Sequence, residues 1–274
     1  MESCKICSKQ SNFLFKAKVL NKYDVSYFKC ENCGFIQTEN PYWLDEAYSP
    51  TRISRDTGYI NRSLLNSNII SNFIMKQSVF NPDGKFIDYG GGVGVFVRMM
   101  RDKGFDFYLY DKYADNLFAK FFNISELDNE CELLTCFEVF EHLSAPLCEI
   151  ENMLNYSKTI FFSTELQPNK EIASADDWSY FGPIGGQHIA FYTYDTLAFI
   201  ARKFNLNLYS DGKNIHIFTN RNLGENWLTG DSKTTLKERI SKKIIKKLAQ
   251  PVKMRESFVW KDFEYITSIL NEKS

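Results

Sequence analysis

Apolar and polar positions change their period several times along the chain, and each change marks an element. From Gly84 to Lys112 an apolar run (Lys85, Phe86, Ile87) ends in Asp88, and a glycine-dense stretch follows at Gly90, Gly91, Gly92 and Gly94. Helical spacing then takes over at Val95, Phe96, Val97, Met99 and Met100, and a second apolar run, Phe105 to Tyr110, ends in Asp111. The pattern predicts strand, tight loop, helix, strand. Beyond it the alternation predicts a strand at 133–137, a helix at 145–154, a strand at 159–164, a helix at 194–204 and a closing antiparallel pair at 206–209 and 215–219. The third strand has no clear run, its nearest candidate lying near Phe121. Upstream, Ile60, Leu64, Leu65, Ile69, Ile70, Phe73 and Ile74 predict an amphipathic helix. In the tail Leu236, Ile240, Ile244 and Leu248 recur every fourth residue up to Pro251, and a second helical pattern reaches Leu270.

Strands alternating with helices make an α/β chain with a doubly wound sheet, and such sheets bind ligands outside the carboxyl ends of their strands. Three segments converge there: Gly90 to Gly94, Phe137 to His142 and Thr164 to Pro168. Glycines at a strand's end let the backbone approach a ligand where a Cβ would clash, and an acid at the tip of the next strand can accept both hydroxyls of a ribose. A dinucleotide fingerprint, G-x-G-x-x-G, is excluded, because counting from Gly90 its third glycine falls at Val95.

The stretch is instead D-x-G-x-G-x-G, from Asp88 through Gly90, Gly92 and Gly94. This resembles motif I of the class I S-adenosylmethionine-dependent methyltransferases, with Asp111 in the place of the ribose-binding acid. The string Phe137-Glu138-Val139-Phe140-Glu141-His142-Leu143 resembles the post-strand signature of the same superfamily. The resemblance implies a Rossmann-like, seven-stranded methyltransferase sheet. It also implies S-adenosyl-L-methionine as cofactor, with Asp88, Gly90, Gly92, Asp111, Lys112, Phe137 and Glu138 around it. His142 is a candidate general base, with a packed or capping imidazole as the plainer alternative.

Two further segments extend the likeness. WLDEAY, a short spacer and DTGYINR resemble the segment before motif I in a subset of zinc-ribbon methyltransferases from bacterial glycan clusters, where it folds over the cofactor. On that resemblance Tyr48, Thr57 and Arg62 hold the methionine end or the substrate, and Arg52, in the same polar stretch, is a substrate candidate. The alternative is a solvated helix start with Asp56 or Thr57 as N-cap. The run from Gly182 to Thr193, containing Gln187, His188, Phe191 and Tyr192, resembles the E-H-x-x-Y-Y stretch of sugar methyltransferases. It implies His188 in the substrate site, with Gln187, Tyr180 and Tyr192 as substrate contacts. An imidazole, whose pKa is about 6.5, suits proton removal from an attacking hydroxyl or amine. Gln187 stands where the family has an acid, which argues against a mechanism needing a carboxylate there, C-methylation included. Glu165, at the tip of the fifth strand, is a second base or substrate candidate, or simply a charge at a strand end. His216, inside a strand, is assigned to structure.

Cys4 with Cys7, and Cys30 with Cys33, form two C-x-x-C knuckles separated by 22 residues of strand-like sequence. Four thiolates so paired can close a tetrahedral site, which predicts a ribbon around a structural Zn2+. Disulfides and a redox C-x-x-C are the alternatives. Cys131, Cys136 and Cys148 read as buried packing residues.

Composition adds limits. The chain has 274 residues, 44% of them hydrophobic, enough for one full α/β domain with small additions. No stretch approaches the roughly 20 consecutive apolar residues of a membrane span, and the N-terminus is no signal peptide, so the expected compartment is the cytoplasm. The net charge of −1 describes no generic polyanion binder, and nucleic acid is not an expected partner. Charge is uneven, however. Residues 232–254 carry seven Lys and one Arg against one Glu, a local +7 that leaves about −8 on the rest. This basic helix can pack on the core, lie on a membrane surface as a peripheral contact, or face RNA.

The organisation predicted is a zinc ribbon at 1–40, a helical cofactor-covering segment at 41–80, a methyltransferase core at 81–220 and a basic helical tail at 221–274. On resemblance, the acceptor is a small molecule: a sugar or nucleotide-activated precursor of a bacterial surface polysaccharide, methylated on oxygen, with nitrogen and carbon left open. An RNA methyltransferase and a non-catalytic scaffold binding the same cofactor are the rivals.

Overall fold

The computed structural model describes residues 2–49, 57–127, 130–224 and 255–272. Its N-terminal part is a hairpin of β2 (Gln10–Val19) and β3 (Tyr23–Cys30), preceded by β1 (Glu2–Ser3) and followed by β4 (Ile36–Thr38). The hairpin sets Ser11 opposite Cys30 while β1 sets Ser3 opposite Gln10, so the register carries the first cysteine knuckle to the second. These strands share a sheet with a piece of the later chain. β9 (Ala190–Phe191) pairs antiparallel with β4, Ile36 to Phe191 and Gln37 to Ala190. Phe15, Val25, Tyr27 and Trp43 bury their rings and methyls against Trp178, Phe181, Ile189 and Phe191. The indole Nε1 of Trp43 donates to the Gly186 carbonyl at 2.7 Å. The second knuckle also enters the core of the main sheet, where Cys30, Cys33 and Phe35 pack in one cluster with Ile87, Tyr89 and Phe140.

The main sheet runs β6 (Asp106–Tyr110), β5 (Lys85–Tyr89), β7 (Leu133–Cys136), β8 (Thr159–Ser163), β11 (Ile215–Thr219), β10 (Asn207–Ser210). β5 pairs parallel with both β6 and β7, β7 parallel with β8, β8 antiparallel with β11, and β11 antiparallel with β10. The chain leaves β5 towards one neighbour and later returns to its other side, so the switch in strand order lies at β5 and β7. There the carboxyl ends of the strands open into a crevice, lined just past β5, β6 and β7. α3 (Val95–Asp102), α4 (Pro146–Leu154) and α5 (Tyr194–Lys203) provide the intervening helices.

One expectation needs correcting. Among the described residues the sheet has six strands, not seven. Where the seventh would lie there is a single parallel bridge between Leu109 and Asn123. Phe121 has φ +76°, which no strand residue adopts, and Asn116 folds the segment into turns by donating to the Ala119 carbonyl at 2.7 Å and to Asn123 Oδ1 at 2.9 Å.

The amphipathic helix, α2 (Tyr59–Lys76), also differs from its reading. Ile69, Ile70, Phe73 and Ile74 are buried, but Ile60, Leu64 and Leu65 are 57%, 48% and 43% exposed. Over its first turns the helix turns inward its polar stripe, Ser63 and Ser67, and Lys103 Nζ donates to Ser67 Oγ at 2.7 Å and Asn68 Oδ1 at 2.6 Å. α1 (Leu44–Ala47) precedes it. Cys131 and Cys136 are buried, whereas Cys148, on α4, is exposed.

Of the tail, α6 (Val259–Glu272) is described, and the predicted basic helix lies outside the described residues. α6 is fastened by Asp262, 3% exposed, whose carboxylate takes a two-pronged ion pair from Arg101 at 2.8 and 2.7 Å and a further contact from Arg98 at 2.8 Å. No described helix is long and apolar enough to cross a membrane.

Candidate active site

The crevice begins where β5 ends. Gly90 turns at φ +76° and its N–H donates to the Tyr110 carbonyl at 2.7 Å. A Cβ at Gly90 would stand 2.5 Å from Val139 Cγ2, so only glycine fits between the loop after β5 and the loop after β7. Gly92, at φ +60°, donates its N–H to Asp111 Oδ2 at 2.8 Å. The other carboxylate oxygen of Asp111 accepts from the N–H groups of Tyr113 and Ala114 at 2.7 and 2.8 Å. The acid at the tip of β6 is thus held rigidly against the glycine loop. Asp88 is buried beneath that loop and accepts from Thr135 Oγ1 at 2.7 Å. Burial, with some help from the Asp111 charge and against the Thr135 hydrogen bond, pushes its carboxyl up to about 7.

Two lobes open above this floor. One is lined by Asp88, Gly90 to Gly92, Phe96, Phe137 and, from α2, Tyr59, Arg62, Ser63 and Asn66. The other is lined by Tyr48, Tyr89, Tyr110, Asp111, Lys112, Tyr113, His142 and Leu143, among others. Gly90 and Glu138 belong to both, so the lobes meet over them. Glu138 holds φ +54°, strained for a residue with a Cβ. Ser163 keeps it there, accepting from the Glu138 N–H at 2.9 Å and donating to Glu138 Oε1 at 2.6 Å.

From the second lobe a line of rings leads away from Asp111. Tyr113 stacks on Tyr48 at 4.9 Å, and the Tyr48 hydroxyl is hydrogen-bonded to His142 Nδ1 at 2.7 Å. The His142 ring lies 5.0 Å from that of His188, which lies 4.6 Å from Tyr180. His188 Nδ1 donates to the Tyr180 carbonyl at 2.5 Å, a bond that fixes the tautomer and leaves the Nε2 lone pair free. Burial lowers the pKa of both imidazoles, His142 to about 3, with the neighbouring His188 adding to the effect. Glu141, fully buried between them and Tyr180, is pushed up to about 8 by that burial. The hydroxyls of Tyr180 and Thr164 come near it, yet among the described residues neither of its oxygens has a hydrogen bond of ordinary geometry. Glu165 Oε1 accepts from the Trp178 indole at 3.0 Å at the far end of the line.

The structure therefore brings together Asp88, Gly90, Gly92, Asp111, Lys112, Phe137, Glu138, Tyr48, Arg62 and His142 around the two lobes, and His188, Tyr180 and Glu165 beyond them. Others fall elsewhere. Thr57 is exposed and lines neither lobe. Gln187 donates its amide to the Ala47 carbonyl at 2.9 Å, tying the loop before β9 to α1. Tyr192 is wholly buried, donates to the Phe140 carbonyl at 2.9 Å and lines neither lobe, so the structure places it in the core. Arg52 lies outside the described residues. Sequence reasoning missed Tyr59 and Asn66, although Tyr59, Arg62, Ser63 and Asn66 form a polar stripe at helical spacing. It also missed Tyr113 and Glu141, which only tertiary packing brings into the line.

Away from the cleft, Cys4 and Cys33 hold their sulfurs 3.6 Å apart and Cys7 and Cys30 theirs 3.4 Å apart, and all four lie within 4.8 Å of one another. These separations are too long for disulfides, whose S–S bond is about 2.05 Å. They are close to the roughly 3.8 Å between sulfurs on a tetrahedral ion with metal–sulfur bonds of about 2.3 Å.

The family described as "Methyltransferase domain" matches residues 64–211. No curated protein matches the chain. Among solved structures, the chain is similar to the plantazolicin methyltransferase BpumL in complex with a monoazolic desmethylPZN analog and SAH, at 11% identity and a TM-score of 0.45, over 65% of this chain and 93% of that one. It is also similar to an O-methyltransferase family protein from Burkholderia thailandensis, at 15% identity and a TM-score of 0.44, over 67% of this chain and 68% of that one. A third is TnmH, at 15% identity and a TM-score of 0.45, over 66% of this chain and 62% of that one.

Proposed function

The chain belongs to the methyltransferase domain family, and on that premise we propose that it moves the methyl group of S-adenosylmethionine to a hydroxyl oxygen of a sugar or nucleotide-activated sugar held beside His188. The observation that carries this reading is the joining of the two lobes over Gly90 and Glu138. The lobe at Asp111 suits an adenosine, with the fixed carboxylate for the ribose and Tyr113 for the base. The lobe at Gly90 to Gly92, with Arg62 and Asn66, suits an amino-acid end. A nucleoside joined to an amino acid spans both, and the glycines leave the main chain bare where a Cβ would fill the site.

When bound, S-adenosylmethionine supplies a methyl already activated by its sulfonium charge. The protein's share is alignment, exclusion of water and disposal of the hydroxyl proton. His188 is the residue suited to the last task. Burial favours its neutral form, its tautomer is fixed by the Tyr180 carbonyl, and its Nε2 is left with a lone pair. Glu165, tied to Trp178, serves the acceptor's other hydroxyls in this reading. Trp178 and Tyr180, their rings tilted with centroids 5.2 Å apart, add aromatic surface beside Glu165, a combination that suits a polyhydroxylated acceptor. The same reading gives the four cysteines a structural Zn2+, a closed thiolate set that leaves no position for substrate.

The test is to titrate the metal-replete protein with S-adenosylhomocysteine by calorimetry. Labelled S-adenosylmethionine is then supplied with pooled nucleotide sugars and, in parallel, with cellular RNA. Binding followed by label in the sugar pool is the expected result. Label in RNA would overturn the acceptor, and absence of binding would overturn the whole reading.

A further inference from the structure

We propose that Glu141, His142 and His188 bind a divalent transition-metal cation beside the methyl donor, and that this cation holds the acceptor's hydroxyl oxygen. The inference rests on the cleft being the methyl-transfer site, and it changes the part His188 plays there.

One carboxylate oxygen of Glu141 and one ring nitrogen from each histidine lie within 4.8 Å of one another. Glu141 is the most informative of the three. Its side chain is 0% exposed; the Tyr180 and Thr164 hydroxyls come near it, but among the described residues neither oxygen has a hydrogen bond of ordinary geometry. Chains rarely bury a carboxylate in this way unless a positive charge joins it. Here the groups gathered against it include two imidazoles, the commonest metal-binding side chains.

Each imidazole, moreover, already has its other nitrogen occupied. His188 Nδ1 donates to the Tyr180 carbonyl at 2.5 Å, and His142 Nδ1 is bonded to the Tyr48 hydroxyl at 2.7 Å. Metal-ligating histidines are held by such outer partners, which orient the ring and direct the free nitrogen at the ion. Nε2 is the nitrogen left on each ring. Two imidazoles and one carboxylate close three positions and leave the rest open for a ligand. The cysteine site differs on both counts, being all sulfur and fully closed. His142 also lines the lobe at Asp111, so an ion on it sits next to the proposed donor.

The chemistry balances without an oxidant. The acceptor's oxygen binds the cation, which lowers the pKa of its O–H, and the proton leaves to solvent. The oxygen then forms its bond to the methyl carbon as the carbon–sulfur bond breaks, the electron pair staying on sulfur to give a neutral thioether. His188 Nε2, once ligated, has no lone pair for the proton, so coordination takes the place of direct base catalysis.

The experiment is equilibrium dialysis of the full, zinc-replete chain against Co2+, with S-adenosylhomocysteine calorimetry on the same material. The wild type should retain one Co2+ beyond the cysteine-bound zinc, with weak visible bands and no thiolate-to-cobalt charge transfer. Glu141→Gln and His188→Ala should each weaken that retention at least about tenfold while still binding S-adenosylhomocysteine, which certifies their fold. The proposal is overturned if wild type binds S-adenosylhomocysteine but retains no extra Co2+, or if both variants retain as much as wild type. Glu141 would then be held as a neutral acid. Co2+ retained without S-adenosylhomocysteine binding would leave the cation site standing and overturn the donor assignment. Loss of both would overturn the two together.

Discussion

One wall of the cleft is made by a single stretch, Asp88 to Gly94, whose backbone turns at φ +76°, +60° and +89° follow from glycine itself. The facing wall is gathered from Tyr48, from Glu141 and His142, and from Tyr180 and His188, joined by ring contacts and hydrogen bonds across as many as 94 positions of sequence. The first wall is specified locally, by what the backbone can adopt and what a Cβ would hit. The second exists only once the end of α1, the post-β7 turn and the loop before β9 have packed against each other. The difference teaches that the wall the proposal gives to the donor can be set by a short motif, whereas the wall it gives to the acceptor is a property of the assembled fold. It predicts that the walls fail separately when mutated.

The largest effect belongs to the local wall. In Gly90→Ala the new Cβ must displace Val139 from 2.5 Å, at a φ of +76°. Affinity for S-adenosylhomocysteine should fall by more than about 100-fold, equivalent to ~2.7 kcal/mol. Gly212→Ala is the control, since Gly212 has φ +74° and, among the described residues, nothing within 4 Å of where a Cβ would stand. It should cost about 1–2 kcal/mol of stability for the left-handed backbone alone and leave that affinity intact. Equal affinity in the Gly90 variant and wild type would remove the steric basis of the first wall.

His188→Ala probes the second wall. Methyl transfer should slow by about 100-fold or more, the range for losing a proton-accepting group or its replacement by metal chemistry, while S-adenosylhomocysteine affinity stays within about threefold. A parallel loss of affinity would mean that the two walls form a single unit.

Much of the first wall was legible and much of the second was not, for physical reasons. Glycine spacing and the acid at the end of each strand report backbone conformation and strand position directly, so Asp88, Gly90, Gly92 and Asp111 were found where they stand. Apolar periodicity reports that a helix has two faces but not which one turns inward. α2 shows the consequence, burying Ser63 and Ser67 in its first turns while exposing Ile60, Leu64 and Leu65. The Asp262 to Arg101 ion pair, spanning 161 positions, has no sequence signature at all. Glu141 lies inside the Phe137 to Leu143 string, yet its burial is visible only with Tyr180 and His188 around it.

A pH series sharpens the comparison at Asp88, on the local wall. Its carboxyl is raised from 3.8 to about 7 by burial. Below the lower value both folded and unfolded forms are protonated. As pH rises between the two, the unfolded chain ionises while the folded one keeps its proton, so stability falls by up to about 1.4 kcal/mol per pH unit and levels off above the folded value. Urea midpoints measured across that window should therefore slope downward in wild type and less so in Asp88→Asn. An unchanged slope would show that the fold ionises Asp88 freely.

The smallest effect separates the second wall from the core behind it. The sequence pattern puts Tyr192 among the substrate contacts, yet its ring is 0% exposed, 5.1 Å from that of Phe35 and 5.8 Å from that of Phe140, and its hydroxyl donates to the Phe140 carbonyl at 2.9 Å. Phe140 immediately precedes Glu141 and His142, so this hydrogen bond holds the turn that presents them without touching a ligand. Tyr192→Phe removes one oxygen and keeps the ring. It should cost about 0.5–1.5 kcal/mol of stability, the net worth of one hydrogen bond, with transfer rate and donor affinity within about twofold of wild type. A variant of full stability that transfers about tenfold more slowly would put the hydroxyl on the reacting side, and the boundary between wall and core would then have to move outward past Phe140.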